Sequence, residues 1–278
     1  MNQQALPGMP QRLYRASPSR LTTWLDCPRM YRMAYLDRPT PPRRRQRAHT
    51  SVGLTTHNVL RDFWDLPAQQ QTPAGVNELV RTSWIDLGFK DPAQSNRWRG
   101  RVSDEVVGYL RGIDRDLRPL GIERTVGLKT DQITMSGRID RLDDRDGELV
   151  VVDYKTSRRP LDPDGARTSL ALAMYAAASS RIFHRQCSRV ELHHVPTREV
   201  IAHEHTQESL TRKVAEAESI AADLRKADAV YAELGVEAPQ FAPRPSPLCR
   251  WCDFRQLCPE GQAMGPEQSS WAALEPDA

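Results

Sequence analysis

The sequence predicts an α/β domain built on a mixed sheet flanked by helices, and three observations predict it. Two short strands, Met135 to Leu142 and Glu148 to Lys155, are separated by a polar Asp/Arg/Gly turn of the kind that joins antiparallel strands. The second strand carries Leu149, Val150, Val151 and Val152, a continuous apolar run such as a strand buried on both faces has, and charge returns abruptly in Asp153-Tyr154-Lys155. Around this hairpin the periodicities run helix, three strands, helix, strands, helix, which is the order of an α/β sandwich.

Taken in chain order, residues 1–16 are rich in Gln, Pro and Gly without periodicity and are expected to be disordered. A helix is predicted after Ser17-Pro18-Ser19, where serine can cap, carrying Leu21, Trp24, Leu25, Tyr31 and Tyr35 toward a core. Pro39 to Pro42 end it, and Arg43, Arg44, Arg45 and Arg47 follow as a basic loop that either solvates itself or meets phosphate. The next helix begins near Ser51 and includes Gly53 and His57. Two amphipathic segments, about Val76 to Leu87 and Asn96 to Leu117, make residues 58–120 an inserted helical subdomain. The sheet opens with Ile122 to Leu128, continues through the hairpin, crosses by a helix at about Ala166 to Phe183, and closes with Arg189 to Val195 and Glu199 to His205. A long helix from about Glu208 to Leu234, a Pro-rich connector, a cysteine cluster at 248–260 and a disordered tail at 261–278 complete the chain.

Composition bounds the function. The chain has 278 residues, 39% of them hydrophobic, and a mean hydropathy of −0.62. It contains no apolar run near the roughly 20 residues that a membrane span needs, and no secretory signal opens it. A cytoplasmic location is expected. Net charge is only +3, but the cations are mostly arginine, with five lysines in all. Arginine binds phosphate bidentately, which suits a polyanionic partner, although a bias of the source genome gives the same composition.

The chemistry concentrates at the hairpin. Side chains of a strand alternate, so Asp153 and Lys155 share one side, and Asp140 on the preceding strand reaches the same place in an ordinary register. Two carboxylates beside an ammonium group offer oxygen ligands to Mg²⁺ or Mn²⁺ and a means of positioning an attacking water. Read as a plain surface hairpin, the same residues make a weak ion pair.

Five cysteines are present, three of them in Cys249-x2-Cys252-x5-Cys258. Without a secretory context such clustering points to metal more than to disulfides. Four thiolates close a zinc site or hold a [4Fe-4S] cluster, so Cys27 or Cys187 supplies the fourth, and spacing alone leaves zinc and iron–sulfur both open.

The G-R-I-D at Gly137 to Asp140, followed by V-V-D-Y-K-T-S at Val151 to Ser157, resembles the core of the PD-(D/E)XK nucleases, most closely their RecB-like branch. The resemblance implies a restriction-endonuclease-like fold over residues 17–260 and a metal-dependent DNA exonuclease of repair or recombination. A catalytically weak DNA-binding module of that fold is the alternative. Under the resemblance His57, in the family's G-x-x-x-H pattern, joins Asp140, Asp153 and the Tyr154 carbonyl as metal ligands, and Lys155 positions the water. The lone cysteine of C-P-R with the C-terminal cluster is similar to the iron–sulfur staple of the AddB nuclease domain and the CRISPR-associated exonucleases. This implies a [4Fe-4S] cluster on Cys27, Cys249, Cys252 and Cys258, with Cys187 left free. DNA contacts are expected from Tyr175, Arg138, Arg43, Arg44 and Arg45, and a helicase or other repair protein as partner. No Walker A motif is present, so helicase activity is not expected of this chain. One departure stands out: the family's Q-x-x-x-Y before DNA reads Ala171-x-x-x-Tyr175, and alanine offers no hydrogen bond.

Overall fold

The computed structural model describes residues 13–114 and 116–275. Its core is a mixed sheet of six strands. β1 (Tyr14–Ala16), β2 (Gly121–Lys129), β3 (Ile133–Arg145), β4 (Glu148–Lys155), β5 (Arg189–His194) and β6 (Glu199–Glu204) pair in the path β1-β3-β4-β5-β6, with β2 also on β3. The β3–β4 turn is Asp146-Gly147, with φ of 51° and 95°. Both residues sit in the left-handed region that a two-residue hairpin requires, which is why Asp-Gly stands there.

Helices cover both faces. On one side α1 (Pro18–Asp26), α7 (Leu170–Phe183) and α8 (Gln207–Leu234) pack over Leu149 and Val151. On the other, α3 (Ala48–Asp65), α4 (Pro73–Ser83) and α5 (Pro92–Leu110) pack over Val150, Val152 and Tyr154. The apolar run of β4 is therefore split between two cores, and each fully buried Val or Leu contributes about 1.5–3 kcal/mol. The short α6 (Gly165–Thr168) precedes α7, and Ser169 between them caps α7 by accepting from the Leu172 amide at 3.2 Å. No helix among the described residues is long and apolar enough to cross a membrane.

The structure differs from the sequence expectation in four places. The first predicted helix is two, α1 and α2 (Pro28–Tyr35), because Cys27 is extended (φ −163°, ψ 113°) and Pro28 restarts the helix without an amide hydrogen. Residues 14–16, assigned to a disordered arm, form a strand beside β3; the rest of that arm, through residue 12, lies outside the described residues. The helical layer does not begin at residue 58, since α3 runs unbroken from Ala48, and α5 stops at Leu110.

The tail is ordered as far as residue 275. After α9 (Pro259–Ala263), residues 266–275 cross the helical layer: the Ala48 amide donates to the Ser270 carbonyl at 3.0 Å, and Ser270 Oγ donates to the Gly88 carbonyl at 2.7 Å. Arg44 pairs with Glu267 at 2.5 Å, and Arg158 donates to the carbonyls of Ala273 and Glu275. Leu274 is buried in the α3–α5 core. Its contacts are with residues far away in the sequence, Arg44, Ala48, Gly88 and Arg158, which leave no local periodicity. Leu274→Ala is expected to lower the unfolding free energy by about 2 kcal/mol or more, measured by urea denaturation; an unchanged midpoint would mean the tail does not dock.

Candidate active site

The site forms where the hydrogen-bond ladder of β3 lapses. Residues 134 and 135 of β3 pair with both β1 and β2, and residues 141 and 142 with both β2 and β4, so β1 and β4 share one edge of β3 and leave a gap between them. The β2 ladder also skips one pair, passing from Ile122↔Arg141 to Arg124↔Ile139. Asp140 lies in both gaps. With no strand partner there, the Tyr154 amide donates to Asp140 Oδ2 at 2.8 Å. Amide and carbonyl of one strand residue point to the same edge, so the Tyr154 carbonyl faces this gap as well.

His57 reaches the gap from α3, its Nδ1 3.3 Å from Asp140 Oδ1. Gly53, one turn earlier, lets α3 close on the end of β4: a Cβ there would stand 3.2 Å from Thr156 Oγ1. The third member is Glu123, whose φ of 47° turns it out of the β2 ladder. Ligand atoms of His57, Glu123 and Asp140 all lie within 4.8 Å of one another. They line a cleft of about 370 Å³ with His49, Arg61 and Arg138. Asp153 stands beside this group, paired with Lys155 Nζ at 2.6 Å.

The electrostatics suit a cation. Burial, and then the Asp140 charge, raise the Glu123 carboxyl above its ordinary range, although Arg138 Nε sits 2.7 Å away. Burial likewise raises Asp153, and the adjacent ammonium of Lys155 offsets only part of this. His57 is pulled down by burial, but the hydrogen bond and charge of Asp140 outweigh it, so the ring protonates more readily than a free imidazole. Carboxylates that repel one another in a half-buried cleft are relieved by a hard divalent ion with oxygen and imidazole ligands.

The remaining expected residues are placed as follows. The Tyr175 ring lies over Gly137, where an added Cβ would come within 2.4 Å of Cε1, and the nearby charges of Asp153 and Asp140 disfavour its ionisation after burial does. Arg138, Arg43 and Arg45 are exposed. Arg44 is not available to a phosphate: its guanidinium is only 12% exposed, held by Glu267 and by the Gln268 carbonyl at 2.9 Å. Of the histidines without a motif, His194 is occupied by Thr197 and by the Ser157 carbonyl. Glu123 was missed by sequence reasoning; a lone acid beginning a half-buried strand was its only signal.

Beyond His49, whose ring meets Trp251 edge to face at 5.6 Å, a cavity of about 630 Å³ is lined by Cys27, Cys249, Cys252 and Cys258. None is in a disulfide. Amide hydrogens point at the sulfurs, Arg244 N at 3.5 Å from Cys27 and Ser246 N at 3.4 Å from Cys249. Cys187 is elsewhere, buried in the sheet core with its thiol pushed up to about 12 by burial.

A family model described as the PD-(D/E)XK nuclease superfamily matches residues 15–259, from β1 through the last cysteine. The chain belongs to this superfamily. Its sheet is the superfamily's mixed sheet flanked by helices, and its His57, Glu123 and Asp140 cluster is a possible site for the divalent metals such nucleases use. Two solved structures are similar to the chain over most of its length. One, described as "Putative exonuclease" from Eubacterium rectale, is 11% identical with a TM-score of 0.48, covering 88% of each chain. The other, described as SSO0001, is 14% identical with a TM-score of 0.40, covering 91% of this chain and 90% of its own. No curated protein matches the chain.

Within this nuclease fold, the seat of Tyr175 on Gly137 can be tested without reference to activity. Gly137→Ala is expected to cost about 1–3 kcal/mol by overpacking, and the cost should shrink when Tyr175→Ala is added. A double-mutant cycle in urea checks this; additive effects would mean the ring does not rest there.

Proposed function

We propose that the protein is a metal-dependent DNA exonuclease, acting in repair or recombination together with a helicase or other repair protein. The observation that carries the reading is the convergence of His57, Glu123 and Asp140 within 4.8 Å at the gap in the sheet, with the Asp153–Lys155 pair alongside. The RecB-like order of His57, G-R-I-D and D-Y-K supports DNA as substrate and exonuclease as the mode.

His57, Glu123, Asp140, Asp153 and the Tyr154 carbonyl would hold one or two Mg²⁺ or Mn²⁺ ions. A divalent ion held there would offset the negative charge that develops on the phosphoryl and leaving oxygens and would lower the pKa of a bound water. The chain's own part is positioning. Lys155, half-exposed and held by Asp153, orients the attacking water by hydrogen bonding and offsets charge on the non-bridging oxygens. The new P–O bond forms from that water, which gives up a proton to solvent, as the opposite ester bond breaks, and the departing oxygen takes a proton from solvent. Arg138, Arg43 and Arg45 offer the phosphate contacts, and Tyr175 a face for a base or sugar.

Asp140→Ala, Asp153→Ala, Lys155→Ala and Glu123→Ala are each expected to abolish cleavage of end-labelled DNA in Mn²⁺ while leaving DNA binding within a few-fold, and chelator should silence the wild type. Binding rests on arginine and phosphate, chemistry on the carboxylates. Wild-type cleavage by Asp153→Ala would overturn the assignment.

The reading of the cysteine cavity is a [4Fe-4S] cluster on Cys27, Cys249, Cys252 and Cys258. The lone Cys27 of C-P-R with Cys249-x2-Cys252-x5-Cys258 supports this reading, being similar to the iron–sulfur staple of RecB-like nucleases, with one thiolate for each of four irons. The amides aimed at the sulfurs would offset thiolate charge. Protein purified without oxygen is expected to carry about four irons and matching sulfide per chain. Alanine at any of the four cysteines should lose the cluster, and Cys187→Ala should keep it. Stoichiometric zinc without sulfide would make the site a zinc staple.

A further inference from the structure

The largest polar feature of the interior has no part in the chemistry above. On the face of the sheet beneath α3 and α5, Arg141 is 1% exposed and belongs to a closed ring of side chains. Arg141 grips Asp143 with Nε at 2.9 Å and Nη2 at 3.1 Å. Asp143 also takes Arg145 at 2.8 Å, and Arg145 forks onto Glu191 with two bonds of 2.9 Å. Glu191 meets His193 Nε2 at 2.8 Å, His193 Nδ1 meets the Tyr109 hydroxyl at 2.7 Å, and Tyr109 accepts from Arg141 Nη1 at 3.2 Å, which closes the ring.

Stability alone is a poor reason for such a ring. Buried ion pairs cost desolvation, and apolar side chains of the same volume often serve as well or better. What a closed buried network of charge-assisted hydrogen bonds does supply is a single fixed geometry. Tyr154 links this geometry to the candidate metal ligands. Its hydroxyl accepts from Arg141 Nη1 at 3.3 Å, and the guanidinium lies 5.8 Å from its ring centre. The same ring meets His57 edge to face at 5.9 Å, and the backbone amide of Tyr154 holds Asp140. One residue thus touches the ring on one side and two members of the His57–Glu123–Asp140 group on the other.

We propose that the Arg141–Tyr154 hydrogen bond positions the metal centre, fixing the His57 ring and the Asp140 carboxylate through Tyr154. The inference rests on the reading of His57, Glu123 and Asp140 as a divalent-metal site. It makes Arg141 and Tyr154 positioning residues: neither side chain meets substrate, and their effect is on how tightly the ion is held.

The test is Mn²⁺ titration by calorimetry on the full chain, with cleavage measured across Mn²⁺ concentrations. Tyr154→Phe removes the hydroxyl and keeps the ring and the backbone amide. It is expected to weaken Mn²⁺ binding about tenfold, as loss of an outer-shell partner does, and to regain most of its cleavage at saturating Mn²⁺. Arg141→Lys keeps the charge beside Asp143 but loses the fork; it is expected to weaken Mn²⁺ to a similar degree, and it serves as the test if Tyr154→Phe does not fold. Arg145→Met opens the ring between Asp143 and Glu191, away from the Tyr154 hydroxyl, so it should lower the melting temperature comparably and leave Mn²⁺ affinity within twofold. Wild-type Mn²⁺ affinity in Tyr154→Phe overturns the proposal, as does an equal loss in Arg145→Met, which would reduce the ring to general support. If the wild type binds no Mn²⁺, both this proposal and the metal-site reading fall; if it binds and the variants match it, only this proposal falls.

Discussion

The site depends on one backbone amide that has no strand partner. A buried amide must donate to something, and at Tyr154 the strand that would have accepted is absent, because β1 and β4 share an edge of β3 without meeting. Asp140 Oδ2 takes the bond instead. This holds a carboxylate against the sheet at a point where its second oxygen is free to face His57. The neighbouring lapse at Glu123, with its left-handed φ, turns a second carboxylate toward the same opening. In a complete ladder Glu123 and Asp140 would be a directly opposed cross-strand pair on one face of the sheet; the lapse lets Asp140 turn to the Tyr154 amide while its acid partner still meets it beside His57.

The two faces of β4 then divide the labour. Alternation sends Asp153 and Lys155 to one side, where the pair remains accessible, and Tyr154 to the other, where it is 4% exposed. Chemistry needs the first side to admit solvent and substrate. Precision needs the second side to be immobile, and dense packing of Val150, Val152 and Tyr154 against α3 and α5 provides that. The helix carrying His57 is fixed by the same core, so the histidine and the carboxylates are referred to one rigid body although they come from three distant parts of the chain.

Local pattern made the hairpin legible, and with it the proximity of Asp140, Asp153 and Lys155: an apolar run ending in charge has few other uses, and period-two alternation needs no tertiary information. The two-sided burial of β4 and the crossover order followed from the same signals. Glu123 was not legible, since its place depends on a positive φ and a missing ladder pair, neither of which has a residue signature when the residue is not glycine. The break at Cys27 was readable in principle from Cys-Pro, but apolar periodicity on both sides ran through it. Arg44 looked like its neighbours Arg43 and Arg45; only the path of the tail, which brings Glu267 beside it, separates a structural guanidinium from two exposed ones. Contacts between residues more than 200 positions apart leave no local trace.

Those distant contacts share a direction. Arg44 with Glu267, Arg47 with Asp253 and Arg29 with Glu260 each join the first 50 residues to the last 30. Individually, partly exposed pairs of this kind add little. Together with the cysteine cavity, which brings Cys27 near Cys249, Cys252 and Cys258, they close the chain into a loop that contains every strand of the sheet but β1. The entropic cost of that closure grows only slowly with loop length, so a single strong tie can outweigh it, and four thiolates on one cluster would be such a tie. α3 begins at Ala48, immediately after this region, and carries His57 toward the gap nine residues later. Anything that anchors the two chain ends therefore also sets where α3 starts. The cysteine cavity and the carboxylate cleft, chemically unrelated, meet through Trp251 and His49 and are mechanically joined by one helix.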